Sequence, residues 1–299
     1  MDIIFKKTNA QWVKYSEYEY IKGDDGHLYL MPAPTAKPSI YDPFKEAETL
    51  VVDALNLGRL AMKEKVVEKV LKDAVMDFVV KYGLLGFMTA LPTTPEFVDY
   101  DAVYLPKNQY IREETMTTLD YISIFFPFYK PDIYKDKTTF QWNINSRTTD
   151  KSQPALAMTY SNEPLAMGLC LQQIYAERFY WLVTQLRDWA FILVSAFLFY
   201  TEEKVIDNFS RNLYQNGVSA FGGKAPTYHI SLYNNKPRIV WDFQSLILTI
   251  QSIFGFALTD ESRPLRICRH CNKAFIASNP DDEFCDSNCM NKSDQQYNE

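Results

Sequence analysis

The chain has 299 residues, 47% hydrophobic and 23% charged, enough to bury one large core or two smaller ones. Its net charge of −6 argues against general adhesion to nucleic acid or to an acidic membrane. The start, Met1-Asp2-Ile3-Ile4-Phe5-Lys6-Lys7, lacks the charged-then-apolar layout of a secretory signal, so a cytoplasmic protein is expected.

Residues 3–5, 15–21 and 28–30 are β-prone runs, and Gly23-Asp24-Asp25-Gly26 between the last two signals a hairpin turn. The proline-rich stretch 31–43 reads as a linker. Asp42 is placed as an N-cap with Pro43 at the first helical position, opening a helix to about Leu57. The next helix is marked by an apolar stripe of Val67, Val70, Leu71, Ala74, Val75, Phe78, Val79 and Tyr82, with Gly83 as C-cap. Glu68 with Lys72 and Asp77 with Lys81 are i,i+4 pairs on its other face.

From Leu91 to about residue 163 the chain is irregular, with a helix predicted over 115–126 and a long loop over 130–160. A helical pattern then runs from near Asn162 to about Tyr200, with room for one break. The run from Trp189 to Tyr200 is interrupted only by Ser195. It is shorter than the roughly 20 residues a membrane span needs, so a buried helix carrying a buried Cys170 is expected. Gly217, Gly222 and Gly223 mark a connection without phosphate-binding spacing. Residues 228–233 and 238–241 form a hairpin about Asn234-Asn235-Lys236-Pro237, and a helix over 243–258 leads to the joint at 260–264.

Four of the five cysteines lie beyond that joint. Cys268 and Cys271 form a C-x2-C clip, and Cys285 and Cys289 a C-x3-C clip, the spacing of a tetrahedral zinc site. Two disulfides or four incidental thiols are the alternatives, and a reducing compartment disfavours the first. Four thiolates close the shell and leave no open position for an activated water, so Zn²⁺ here is structural. Phe275, Ile276 and Phe284 are the expected apolar pad beside the metal. His270, inside the first clip, stands as a substitute ligand.

The tail LRICRHCNKAFIASNPDDEFCDSNCMNK looks like a treble-clef finger, and resembles the C-terminal finger of bacterial CGNR-type proteins, regarded as transcription regulators linked to stress. Cys289, Met290, Asn291 and Lys292 stand where that family reads Cys-Gly-Asn-Arg. The resemblance implies nucleic-acid binding by the finger. Residues 261–299 carry five basic residues, Arg263, Arg266, Arg269, Lys273 and Lys292, against seven acidic ones. A phosphate backbone requires a clustered positive face, which only Arg263 to Lys273 offers. The alternative is that Arg266, Arg269 and Lys273 offset the dianion that four thiolates make on one Zn²⁺.

The fold expected is α+β: a mostly helical, aromatic-rich body over 1–260 with an N-terminal and a later β-hairpin, then a treble-clef-like zinc finger over 261–299. No catalytic motif accompanies His27, His229 or His270, so no enzyme is expected. Three function classes follow. In the first, the body senses a ligand or partner and the finger binds DNA or RNA as a regulator. In the second, the chain is a protein-interaction or self-association module with zinc as a clamp. An unrecognised enzyme is the third.

Overall fold

The computed structural model describes residues 8–87, 102–104, 110–111, 115–128, 170, 173–201, 226–243 and 245–296. Within them, helices and short sheets surround a core that runs from Trp12 to Ala274. The N-terminal strands are β1 (Thr8–Asn9), β2 (Trp12–Tyr15), β3 (Tyr18–Lys22), β4 (Leu28–Pro32) and β5 (Pro38–Tyr41). The expected hairpin is present as β3 against β4, Ile21 facing Tyr29. The predicted strand 15–21 is in fact divided. β2 ends at Tyr15, whose N–H donates to the Tyr18 hydroxyl, so the chain turns before β3 starts.

The proline-rich stretch is not merely a linker, because β5 lies inside it and pairs antiparallel with β2, Trp12 facing Tyr41. Pro38 is tolerated as the first residue of an edge strand, where its missing N–H breaks no ladder bond. Asp42 caps the next turn through the Phe44 N–H with Pro43 following, but this turn is a 3-10 helix that leads into α1 (Ala47–Ala61). α1 therefore ends four residues beyond the predicted Leu57.

α2 (Glu68–Tyr82) ends at Gly83 as expected. Val75, Phe78, Val79 and Tyr82 of its stripe are buried, whereas Val67 and Val70 lie exposed at its start. Glu68 pairs with Lys72 at 2.7 Å, but Lys81 turns to Asp53 on α1 instead of Asp77. The Tyr82 hydroxyl donates to the same Asp53 carboxylate, which makes the tertiary partner the better-coordinated one.

Residues 88–101, 129–169 and 202–225 contain the predicted long loop, the start of the helix near Asn162 and Gly217, Gly222 and Gly223, and these lie outside the described residues. β6 (Ala102–Tyr104) pairs with β7 (Thr115–Thr117), which runs into α3 (Thr118–Phe125), so the helix predicted over 115–126 begins as a strand. The long helical pattern is broken by β8 (Glu177–Arg178), which adds to β4 with Leu30 facing Glu177. α4 (Phe179–Thr201) follows and buries Trp181, Leu182, Leu186, Trp189, Ala190 and Leu193. Among the described residues no helix is long and apolar enough to cross a membrane.

α1 and α4 make the most extensive helix contact. A Cβ on Gly58 would fall 2.0 Å from the Leu186 carbonyl oxygen, so only glycine lets the two backbones meet there. β9 (Thr227–Tyr233) and β10 (Lys236–Asp242) form the later hairpin. Asn234 and Asn235 both have positive φ, 51° and 60°, as a two-residue type I′ turn requires. Lys236 and Pro237, predicted in the turn, are instead the first residues of β10. β1 runs parallel to the end of β10. α5 (Leu246–Thr259) then buries Leu246, Ile250, Ile253 and Phe254 and delivers the chain to the C-terminal segment.

Candidate metal centre

The C-terminal segment begins with β11 (Leu265–Ile267), paired antiparallel with β12 (Ala274–Ile276). Between them the chain makes a tight knuckle. The Cys268 N–H donates to the Lys273 carbonyl at 2.9 Å, the Asn272 N–H to the Cys268 carbonyl at 2.9 Å, and Asn272 adopts a φ of 57°. This turn aims Cys268 and Cys271 the same way. The second clip is held by α6 (Ser287–Gln296). Asp286 accepts the Cys289 N–H at 2.7 Å, which caps the helix and fixes Cys289 one turn after Cys285.

The result is a cluster in which the Sγ atoms of Cys268, Cys271, Cys285 and Cys289 all lie within 4.8 Å of one another. Cys271 and Cys285 are 3.7 Å apart at sulfur, and Cys285 and Cys289 3.5 Å. None of the four is in a disulfide. His270 is not part of the cluster. Burial works against the Cys268 thiolate, but N–H groups of Cys271, Cys285 and His270 outweigh it and bring that thiol down to about 7. Burial and the neighbouring thiols push Cys285 up, and burial pushes Cys289 up to about 11. Four such sulfurs packed together repel as thiolates, and a cation among them relieves that repulsion. The group could hold a metal ion.

The acidic residues of this segment have local work. Asp282 accepts the N–H groups of Ser278 and Asn279, at 3.0 and 2.9 Å, and so pins the loop between the clips. Glu283 pairs with Arg269 at 2.8 Å, while its carbonyl accepts the Arg269 N–H. The basic strip is similarly engaged: Arg263 makes a bidentate pair with Glu48 on α1, and Arg266 donates to the Pro280 carbonyl. Lys273 and Lys292 are exposed.

The expected pad of Phe275, Ile276 and Phe284 is only half-buried. Leu265, Ile267, Ala274 and Ala277 are buried beside Cys268, because Leu265 and Ile267 share the inner face of the two strands with Ile276 and Ala274 while Arg266 and Phe275 take the outer one. Leu265, Ile267 and Ala274 join the same core as α1 and α4. Asn56 on α1 secures the contact by bonding both ways to Ala274: its Oδ1 accepts the N–H at 2.7 Å and its Nδ2 donates to the carbonyl at 3.1 Å. Sequence reasoning missed Asn56, since its partner lies 218 positions away.

It also missed Arg59, one turn further along α1. Its Nη1 is buried and has no hydrogen-bond partner. Burial lowers its affinity for the proton, and the charge on Cys271 raises it.

A second polar centre lies in the body, again unforeseen. Glu177 is fully buried, and its carboxylate accepts the N–H groups of Leu85, Gly86 and Phe87 at 2.8, 2.6 and 2.9 Å and the Tyr175 hydroxyl at 2.8 Å. Gly86 has a φ of 78°, which aligns these three donors in succession. Burial raises the Glu177 carboxyl above its usual range while the donors pull it back. Buried Cys170 is pushed well up by burial and by the charge of Glu177. Four donors saturate this carboxylate, which suits an anchor for the chain better than a reacting group. The chain matches no protein-family model, no curated protein and no solved structure.

Proposed function

We propose that Cys268, Cys271, Cys285 and Cys289 hold one structural Zn²⁺, and that the chain is a zinc-stapled protein-interaction module. The observation that carries the metal is the convergence of four Sγ atoms within 4.8 Å. Zn–S bonds of about 2.3 Å in a tetrahedron place the sulfurs about 3.8 Å apart, close to the 3.7 and 3.5 Å seen here. The knuckle between β11 and β12 and the ligand-bearing helix α6 support a treble-clef reading, the fold implied by the CGNR-type resemblance. Four sulfur ligands leave the ion no catalytic position, so it acts by holding β11, β12 and α6 together.

The interaction reading rests on the β9–β10 hairpin. Tyr228, Ile230, Leu232 and Ile239 fall on one of its faces by register and are 61%, 68%, 73% and 53% exposed. Together they open an apolar face on the order of 500 Å², the size at which such patches are often functional. Lys236 and Arg238 occupy the opposite face, so two copies stacking by their apolar faces bring no like charges together. Self-association is therefore the partner proposed.

Elemental analysis is expected to find one zinc per chain, lost in Cys271→Ser and Cys285→Ser. Light scattering is expected to show a concentration-dependent dimer, abolished by Ile230→Lys with Leu232→Lys. A metal-free chain sinks the first half of the reading, and a monomer at every concentration the second. Regulatory nucleic-acid binding is the second reading, favoured by the exposure of Lys273 and Lys292 and by the CGNR-type resemblance. It requires retention of mixed DNA or RNA that weakens steeply with salt and falls in Lys273→Glu with Lys292→Glu.

A further inference from the structure

A tetrathiolate on a divalent ion carries a net charge of −2, and such centres depend on nearby positive groups and donors to hold that charge in a partly buried place. This inference rests on the zinc reading above. Sequence reasoning offers Arg266, Arg269 and Lys273 for the task. In the structure the Arg269 guanidinium is occupied by Glu283, Arg266 donates to the Pro280 carbonyl, and Lys273 points its exposed side chain to solvent. None of these is a guanidinium in want of an acceptor.

Arg59 is. It lies three residues after Asn56 on α1, hence on the same helix face, and Asn56 is bonded to Ala274, the first residue beyond the knuckle strand pair's turn. That face of α1 thus sits against the segment that carries Cys268 and Cys271. The Nη1 of Arg59 is buried without a hydrogen-bond partner, a costly arrangement for a charged donor unless an anion completes it. Burial disfavours its charge there, and the nearby Cys271 sulfur partly offsets this.

We propose that Arg59 is the positioning residue of the metal centre, its half-buried side chain balancing the charge of the zinc-bound thiolates from α1 through the buried Nη1 donor. The body thereby contributes to the metal's affinity, although none of its residues is a ligand. Arginine suits this place because its guanidinium is weakly hydrated, stays charged when buried and presents several donors at once.

The test uses the full chain with zinc and a competing chelator. Arg59→Met keeps an unbranched apolar stem and removes the guanidinium and its charge; it is expected to weaken zinc binding about tenfold to a hundredfold, the usual effect of removing a partner behind the ligands. Arg59→Lys restores the charge and is expected to recover part of the loss. A merely structural role predicts otherwise, and the metal-free protein separates the two. Without the ion the buried Nη1 of this half-buried side chain still lacks an acceptor, so metal-free Arg59→Met should melt at or above the metal-free wild type. Equal zinc affinity in wild type and Arg59→Met overturns the proposal while leaving the zinc staple standing. A larger loss of stability in the metal-free variant than in the metal-bound one also overturns it. A wild-type chain that takes up no zinc instead removes the zinc reading itself.

Discussion

Glu177 and the four thiols are both acidic groups gathered inside the fold, but what surrounds them differs in kind. Glu177 is fully buried and saturated by donors of the chain itself: three successive backbone N–H groups and a tyrosine hydroxyl. The thiols are half-buried apart from Cys268, and their nearest neighbours are one another; as thiolates they would repel, and a cation among them would relieve that repulsion. The first centre is completed by folding, and the second has the make-up to be completed by a metal ion. α1 links the two regions. Its Gly58 lies against α4, which begins immediately after β8, and its Asn56 holds β12.

The largest effect that tests this contrast is removal of the metal. Because Leu265, Ile267 and Ala274 belong to the body's core, loss of zinc should be felt beyond the finger. Chelation is expected to lower the unfolding midpoint reported by the buried Trp12, Trp181 and Trp189 by at least ~5 °C, since anything that binds only the folded state stabilises it by mass action. A tryptophan transition that stays in place after zinc has gone would mean the finger is independent of the body.

Next in size is Glu177→Gln. The amide keeps the shape but exchanges one acceptor oxygen for a donor, which then faces the Leu85 N–H or the donors on the other side. A cost of about 2–4 kcal/mol is expected in denaturant titration, the range for leaving buried donors unsatisfied near a lost charge. Zinc content should be unchanged. A variant as stable as the wild type would show that the carboxylate is replaceable and that the comparison overstates it.

The two centres also differ in how far the sequence discloses them. Cysteine spacing is local, so the thiols stand out at 268, 271, 285 and 289 without any knowledge of the fold. The hairpins about residues 23–26 and 234–235, the Asp42 cap and the Gly83 stop are local in the same sense. Glu177 is invisible because its donors are main-chain groups some 90 positions away, and no residue type advertises an N–H. β8 is likewise only two residues long, inserted in a helical pattern because pairing with β4 overrides helix propensity. Lys81 choosing Asp53 over Asp77, and Arg263 choosing Glu48 over a phosphate-facing role, are tertiary choices of the same sort.

Asn56→Ala probes the junction between the regions and is expected to cost about 1–2 kcal/mol, because the N–H and carbonyl of buried Ala274 lose their side-chain partners together. Combined with metal removal the two losses should be less than additive, since a finger already loosened gains little from Asn56. Full additivity would show that Asn56 stabilises α1 alone.

The smallest expected effect comes from a carboxylate that shares neither situation. Asp25, in the β3–β4 turn, accepts the Tyr29 hydroxyl at 2.6 Å, the His27 N–H at 3.0 Å and the Arg178 guanidinium at 2.9 Å, and Arg178 is the residue next to Glu177. Burial raises the Asp25 carboxyl, but these three partners outweigh it and the net shift is downward. A lowered folded value means that the contribution is complete above the unfolded carboxyl value of about 3.9 and is lost as pH falls through the folded one. Because its side chain is 38% exposed, water screens the pair, and Asp25→Asn should cost only about 0.5–1 kcal/mol at neutral pH. The difference between wild type and Asp25→Asn, followed by denaturant titration from pH 7 to pH 2.5, should therefore shrink on the acid side. A constant difference across that window would place the stabilisation in shape and hydrogen bonding, leaving the charge of Asp25 without a part in holding the hairpin turn to β8.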